Sequence, residues 1–214
     1  MPTNDTTSTF TGAAESGSLV TVYSGGASLG QAAADGSGNY SFTPSTALAD
    51  GTYTITATAA DSTGNTSAAS GSLSFVVDTA APNAPTLTGT TPTNDNTPAL
   101  NGTAEANATV MALSGDTALG QATADSSGAY TLTVTTLADG THSLTAKATD
   151  SAGNTSSASL ALVVVVDTTA PGAPTLTGTS PSSTNTPQWT GTAEAAGVVT
   201  IYRDGVSLGQ ASAD

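Results

Sequence analysis

Val163-Val164-Val165-Val166-Asp167-Thr168-Thr169-Ala170-Pro171 has an earlier counterpart in Phe75-Val76-Val77-Asp78-Thr79-Ala80-Ala81-Pro82. In both, an apolar run suited to a buried strand ends at one acid and passes through Thr or Ala to a proline. Proline lacks an N–H and fixes φ, so the strand cannot simply continue. Both copies go on as Ala-Pro-Thr-Leu-Thr-Gly-Thr, at 84–90 and 173–179. Asp78 and Asp167 stand 89 residues apart, a domain-sized period rather than that of a solenoid. The stretch therefore marks the seams between successive domains.

Further equivalences hold the register. Phe10-Thr11-Gly12 matches Leu100-Asn101-Gly102 and Trp189-Thr190-Gly191, and Leu29-Gly30-Gln31 matches Leu119-Gly120-Gln121 and Leu208-Gly209-Gln210. This predicts one repeat at 1–78, a second at 79–167, and the N-terminal part of a third at 168–214. The first copy carries one extra residue between Phe42 and Gly51, which places the insertion in a loop. The third copy stops at Asp214, the equivalent of Asp125. It is expected to leave Trp189, Val199 and Ile201 without an opposing sheet.

Two basic and sixteen acidic residues give a net charge of −14. A phosphate-binding surface needs Lys and Arg to displace counterions, so nucleic acid is excluded as a partner, and cations are the natural counter-species. No cysteine is present, which rules out disulfides and thiolate metal sites. No apolar run reaches the length of a membrane helix, so no membrane insertion is expected in this segment. Residues 1–5 show neither the basic nor the apolar region of a signal peptide; the chain reads as a piece of something longer.

The local pattern is β throughout. Tyr53-Thr54-Ile55-Thr56-Ala57-Thr58-Ala59 and Leu144-Thr145-Ala146-Lys147-Ala148 alternate apolar with small polar residues, the period of a half-buried strand. Asp-Gly pairs at 35, 50, 139 and 204 supply turns. Low-complexity disorder is the rival reading of so much Thr, Ser and Ala, but apolar positions recur in register across the copies, which a disordered tract has no reason to maintain. In the second copy the pattern predicts strands at 85–88, 98–104, 108–113, 118–124, 129–135, 140–149 and 157–166. Seven short strands in about ninety residues are the signature of an immunoglobulin-like sandwich. The expected fold is all-β: tandem immunoglobulin-like sandwiches, the third truncated, with Phe10, Leu100 and Trp189 facing inward.

The motifs Thr-Asn-Asp-Asn-Thr-Pro (93–98), Gly-Thr-Ala-Glu (102–105), Leu-Ala-Asp-Gly-Thr (137–141) and Ala-Thr-Asp-Ser-Ala-Gly-Asn-Thr-Ser (148–156) resemble the bacterial Ig-like repeats of giant secreted, biofilm-associated adhesins. The resemblance implies an extracellular or cell-surface extender supporting adhesion and biofilm formation. Its partners would be neighbouring repeats of the same long chain, with any host-surface or biofilm-matrix ligand held elsewhere. It also implies calcium as the stiffening ion. Ser182-Ser183-Thr184-Asn185 departs from the pattern, lacking the acid found at Asp5 and Asp95.

Strand direction sorts the acids between the two poles of each sandwich. The first seam is expected to gather Asp5, Asp50 and Asp78 with Glu105, Asp125 and Asp150. The second would gather Asp95, Asp139 and Asp167 with Glu194 and Asp214. Crowded carboxylates repel unless a hard cation joins them, and calcium takes six to eight oxygens. Asp78, Glu105, Asp150, Asp50, Asp167, Glu194 and Asp139 are thus the candidate calcium ligands. The competing role for any one loop acid is to cap its own turn, the role expected of Asp35, Asp116 and Asp204.

With one histidine and no cysteine, nucleophile and base pairs have almost no material. Acids that repeat with the domains do not read as an active site, so no enzyme is expected. His142 has Tyr53 as its counterpart, which makes it a strand-edge residue. The alternative function is a carbohydrate- or protein-binding module working through loops or sheet edges, with the low aromatic content against it. A third, self-association through edge strands, would show as concentration-dependent dimers.

Overall fold

Alternation of Val, Ile, Leu and Ala with Thr and Ser puts one face of each segment against a partner sheet and the other in water. The computed structural model describes residues 2–178 and 185–214, and the chain divides into two compact units, Met1–Val166 and Asp167–Asp214. The departure at 182–184 lies outside the described residues.

The first repeat contains β1 (Pro2–Thr3), β2 (Phe10–Ala13), β3 (Leu19–Ser24), β4 (Ala27–Ala33), β5 (Asn39–Phe42), β6 (Gly51–Ala60) and β7 (Leu73–Val77). One sheet runs β1-β7-β6-β3-β4 and faces the pair β2-β5. The one-residue insertion falls between β5 and β6, in a loop. All neighbours are antiparallel except β1 and β7, which run parallel with Pro2 opposite Val76 and Thr3 opposite Val77.

The second repeat contains β8 (Thr88–Gly89), β9 (Ala99–Thr103), β10 (Thr109–Ser114), β11 (Thr117–Thr123), β12 (Ala129–Thr133), β13 (Gly140–Thr149) and β14 (Leu162–Val166). Its sheets are β11-β10-β13-β14 and β12-β9-β8. Thr93 bridges Val166 in parallel, repeating the pairing of β1 with β7. Leu100, Val110, Leu144 and Val164 are sealed between the sheets, each contributing roughly 1.5–3 kcal/mol by burial.

Two predicted strands are misplaced: the one at 85–88 overlaps β8 at Thr88 alone, and the last is too long. The sequence suggests pairing from 157 onward, but β14 begins at Leu162. Upstream, serines take the place of the ladder: the buried Ser156 and Ser159 hydroxyls accept from Ala148 and Ala146 N–H at 2.9 Å, while their own N–H groups donate back to Ala148 and Ala146 carbonyls. A side-chain oxygen can satisfy a strand donor without a paired strand. Ser67 and Ser70 do the same for Ala59 and Ala57 in the first repeat.

The repeats differ at the segment before β9. In the second repeat Thr86 donates its N–H to Thr103, Leu87 packs against the core, and Tyr130 Oη donates to the Thr86 carbonyl. Gly102 permits this approach, because a Cβ there would collide with both Thr86 O and the Tyr130 ring. In the first repeat β2 pairs with β5 alone among the described residues. A cleft of about 490 Å³ in the first repeat is lined by Ala13, Ala14, Tyr40, Ala57 and Ser67 among others. The buried cluster there is smaller: Phe10, Val20, Val22, Phe42 and Ile55.

The second unit holds β15 (Thr177–Gly178), β16 (Trp189–Thr190), β17 (Val198–Arg203) and β18 (Val206–Ser212), joined as two separate hairpin-like pairs. Trp189, Leu176 and Val198 are exposed, and Val199 and Ile201 are only half-buried. Trp189 therefore does not occupy the sealed position that Phe10 and Leu100 hold. No helix among the described residues is long and apolar enough to cross a membrane.

Candidate functional site at the first seam

The chain leaves the first repeat through Asp78 and enters the second through Pro82 and Pro85, both buried. Asp78 N–H donates to the Thr3 carbonyl at 2.9 Å, extending the β1–β7 pairing by one residue. Asp50 holds the exit: its Oδ1 accepts from both the N–H (3.0 Å) and the hydroxyl (2.8 Å) of Thr79. Asp78 Oδ1 accepts from Ala80 N–H.

The facing surface is the loop Asp150–Asn154 at the end of β13. Its form is set by Asp150, whose Oδ1 accepts from the N–H groups of Ala152, Gly153 and Asn154 at 2.8–2.9 Å, and whose Oδ2 accepts from Asn154 Nδ2 at 2.8 Å. Burial pushes the Asp150 carboxyl up, but these donors outweigh it and hold the pKa below the ordinary value, since bonds to the ionised form favour it.

Two hydrogen bonds cross the seam. Asn4 N–H donates to the Ala152 carbonyl at 3.1 Å, and Asn154 Nδ2 donates to the Asp78 carbonyl at 2.8 Å. Gly153 has φ +98°, and a Cβ there would lie 3.4 Å from Asn4 Nδ2. Glycine thus suits both the turn and the close approach. Ala152 is buried.

Of the seven acids expected to ligate calcium, Asp78 and Asp150 converge on Asn154, one through its backbone and one through its carboxylate. Asp50 joins them through Thr79. Glu105 lines a small cleft with Asn83 and Ala84 of the linker, and its carbonyl accepts from Ala108 N–H. Asp139 is exposed just before β13. In the second unit Asp167 Oδ1 accepts from Thr169 N–H, and the Glu194 carbonyl accepts from Gly197 N–H. Among the described residues no three His, Cys, Asp or Glu side chains gather as a group that could hold a metal ion.

Turn capping is what many loop acids do here. Asp35 and Asp125 each accept from N–H groups two and four residues on, and their pKa values fall below the ordinary value. Asp5 and Asp95 cap Thr7 and Thr97 in the same way. Asp35 plays the role expected of it, and Asp125 joins it. Asn4, Ala152 and Gly153 escaped the sequence reading, because two of them act through the main chain and carry no charge. The one signal for Ala152 and Gly153 is the recurrence of Asp-Ser-x-Gly-Asn at 61–65 and 150–154.

His142 Nε2 lies 2.8 Å from the Ala138 carbonyl, and its counterpart Tyr53 donates its hydroxyl to Ala49 at 2.7 Å. Both pin the loop before the following strand.

No curated protein matches the chain. Among solved structures it is similar to the fibronectin(III)-like modules of Clostridium thermocellum CbhA, at 18% identity and TM-score 0.45, covering 77% of this chain and 87% of that one. It is also similar to a tetra-tandem repeat from the extending region of a large adhesion protein, at 24% identity and TM-score 0.33 with coverage of 97% and 59%. The BSP domain of a biofilm-associated protein is a third, at 23% identity, TM-score 0.34 and coverage of 79% and 29%. The chain thus spans less than two thirds of the length of the last two. The model of the bacterial Ig-like domain matches residues 2–79 and again 84–168, and the chain belongs to that family.

Proposed function

We propose that these repeats form an extender segment of a bacterial surface or secreted adhesin, in which the first sandwich is fixed to the second by direct contact. The observation that carries this is the pair of hydrogen bonds across the first seam, Asn4 to Ala152 and Asn154 to Asp78. A flexible string would need no contact between one repeat's exit and the next repeat's loop. Two bonds from different elements restrain both hinge and twist, and each contributes about 0.5–1.5 kcal/mol. The likeness of the repeat motifs to those of biofilm-associated adhesins supports the cell-surface setting.

Calcium at the seam acids, which the family resemblance implies, enters as the second arm of one experiment. It is favoured by the charge of −14 and by Asp50 and Asp78 lying either side of Thr79. The chain lacks cysteine, so spin labels can be placed cleanly at S37C in the first repeat and T131C in the second, both exposed positions. A narrow distance distribution with calcium and with chelator is the result expected of a hydrogen-bonded joint. A distribution that broadens only with chelator assigns the stiffness to calcium. One that is broad under both conditions overturns the extender reading.

A further inference from the structure

The loop Asp150–Asn154 has a twin in the first repeat, Asp61–Asn65, and the two differ at one functional position. Asp61 repeats the work of Asp150: its Oδ1 accepts from Thr63 and Asn65 N–H, and its Oδ2 from Asn65 Nδ2 at 2.7 Å. The main-chain closures are also the same, Asp61 to Asn65 and Asp150 to Asn154, each at 3.0 Å.

A primary amide has two N–H donors. In both loops one goes to the aspartate Oδ2. In the first repeat the other goes to Thr63 Oγ1 at 2.8 Å, within the loop. In the second repeat the equivalent residue is Ala152, which has no acceptor, and the second donor leaves the loop to meet the Asp78 carbonyl. The Thr63 hydroxyl is itself engaged, donating to Asp61 Oδ1 at 2.9 Å, so the loop is satisfied without a neighbour.

We propose that the loop Asp150–Asn154 is a docking site for the exit end of a preceding Ig-like repeat, and that residue 152 sets whether it is open. Alanine leaves one Asn154 amide hydrogen for the partner's backbone carbonyl, while threonine captures that hydrogen and closes the site, as Thr63 does. The partner is recognised through main-chain groups, the carbonyl at Asp78 and the N–H at Asn4, so repeats of varied surface sequence can dock. Residue 152 is a positioning residue acting through Asn154. The inference rests on the seam being a fixed joint.

The test uses the full chain, isotopically labelled, with residual dipolar couplings measured separately for the two repeats and hydrogen exchange measured at Asn4. In the wild type both repeats share one alignment tensor and Asn4 N–H is protected. A152T is expected to split the tensors and speed Asn4 exchange by tenfold or more, leaving the couplings within each repeat unchanged. A152V, with the same bulk and no acceptor, is expected to behave as the wild type. A shared tensor in A152T overturns the proposal, as does an A152V that loosens the seam as much as A152T, which would make bulk the cause. Separate tensors in the wild type would overturn the fixed joint itself, and with it the extender reading.

Discussion

Tyr130 donates its hydroxyl to the backbone carbonyl of Thr86, 44 residues away, tying the segment before β8 across β9 to β12 of the same sheet. Burial raises the Tyr130 pKa above its ordinary value of 10.0, so this contribution is complete below pH 10 and is lost as the phenol ionises above it. Tyr130→Phe should cost about 1 kcal/mol, read by denaturant unfolding, and should speed exchange at Thr86 N–H.

The two repeats should also melt in order. The first buries five residues in its central cluster and the second fifteen. Calorimetry is expected to show the first repeat unfolding at the lower temperature. Leu100→Ala should cost about 2–5 kcal/mol and move the upper transition alone. If the lower transition moves instead, the ordering is reversed.

The serines that stand in for strand pairing give a sharper contrast. Ser156→Ala or Ser159→Ala strands a buried Ala148 or Ala146 N–H and should cost about 1–3 kcal/mol. Ser67→Ala and Ser70→Ala, at exposed bonds, should cost less, since water can replace the hydroxyl. Equal losses in the two repeats would mean that burial at 156 and 159 does not matter.

Asp61 predicts an acid response. Donors from Asn65 and Thr63 hold its carboxyl down to about 2 from 3.8. A depressed folded pKa means the loop's contribution is present above 3.8 and disappears as pH falls through about 2. The amide signals of Thr63 and Asn65 should therefore titrate with a midpoint near 2. A midpoint near 3.8 would show that the carboxylate is not held by these donors.

The fold is legible in the sequence because the apolar register repeats: the strand ends Val77 and Val166, and the inward Phe10 and Leu100, align by residue type alone. The start of the last strand is not legible in this way, because Ser156 to Ala161 looks like any other half-polar strand, and only the geometry shows hydroxyls doing the pairing. At the seam, charge draws attention to Asp78 and Asp150, which do lie there. Their carboxylates, however, bond nearby main chain and Asn154. The groups that cross are the main-chain N–H of Asn4 and carbonyls of Asp78 and Ala152, which are invisible to residue type, and the Asn154 amide.

The parallel pairing of β1 with β7, repeated by Thr93 with Val166, has a mechanical consequence. In the first repeat β1 and β7 run side by side in one direction, and in the second Thr93, beyond β8, bridges the last strand in the same sense, so a pull on the ends slides these segments past each other. Asp78 to Thr3 in the first repeat and Thr93 to Val165 in the second are then each loaded in shear rather than peeled. Within one repeat, rupture requires the bonds of that pairing to fail together, as Thr93 to Val165 and Val165 to Thr91 would in the second, so the pairing adds resistance to tension along the chain beyond what the core supplies.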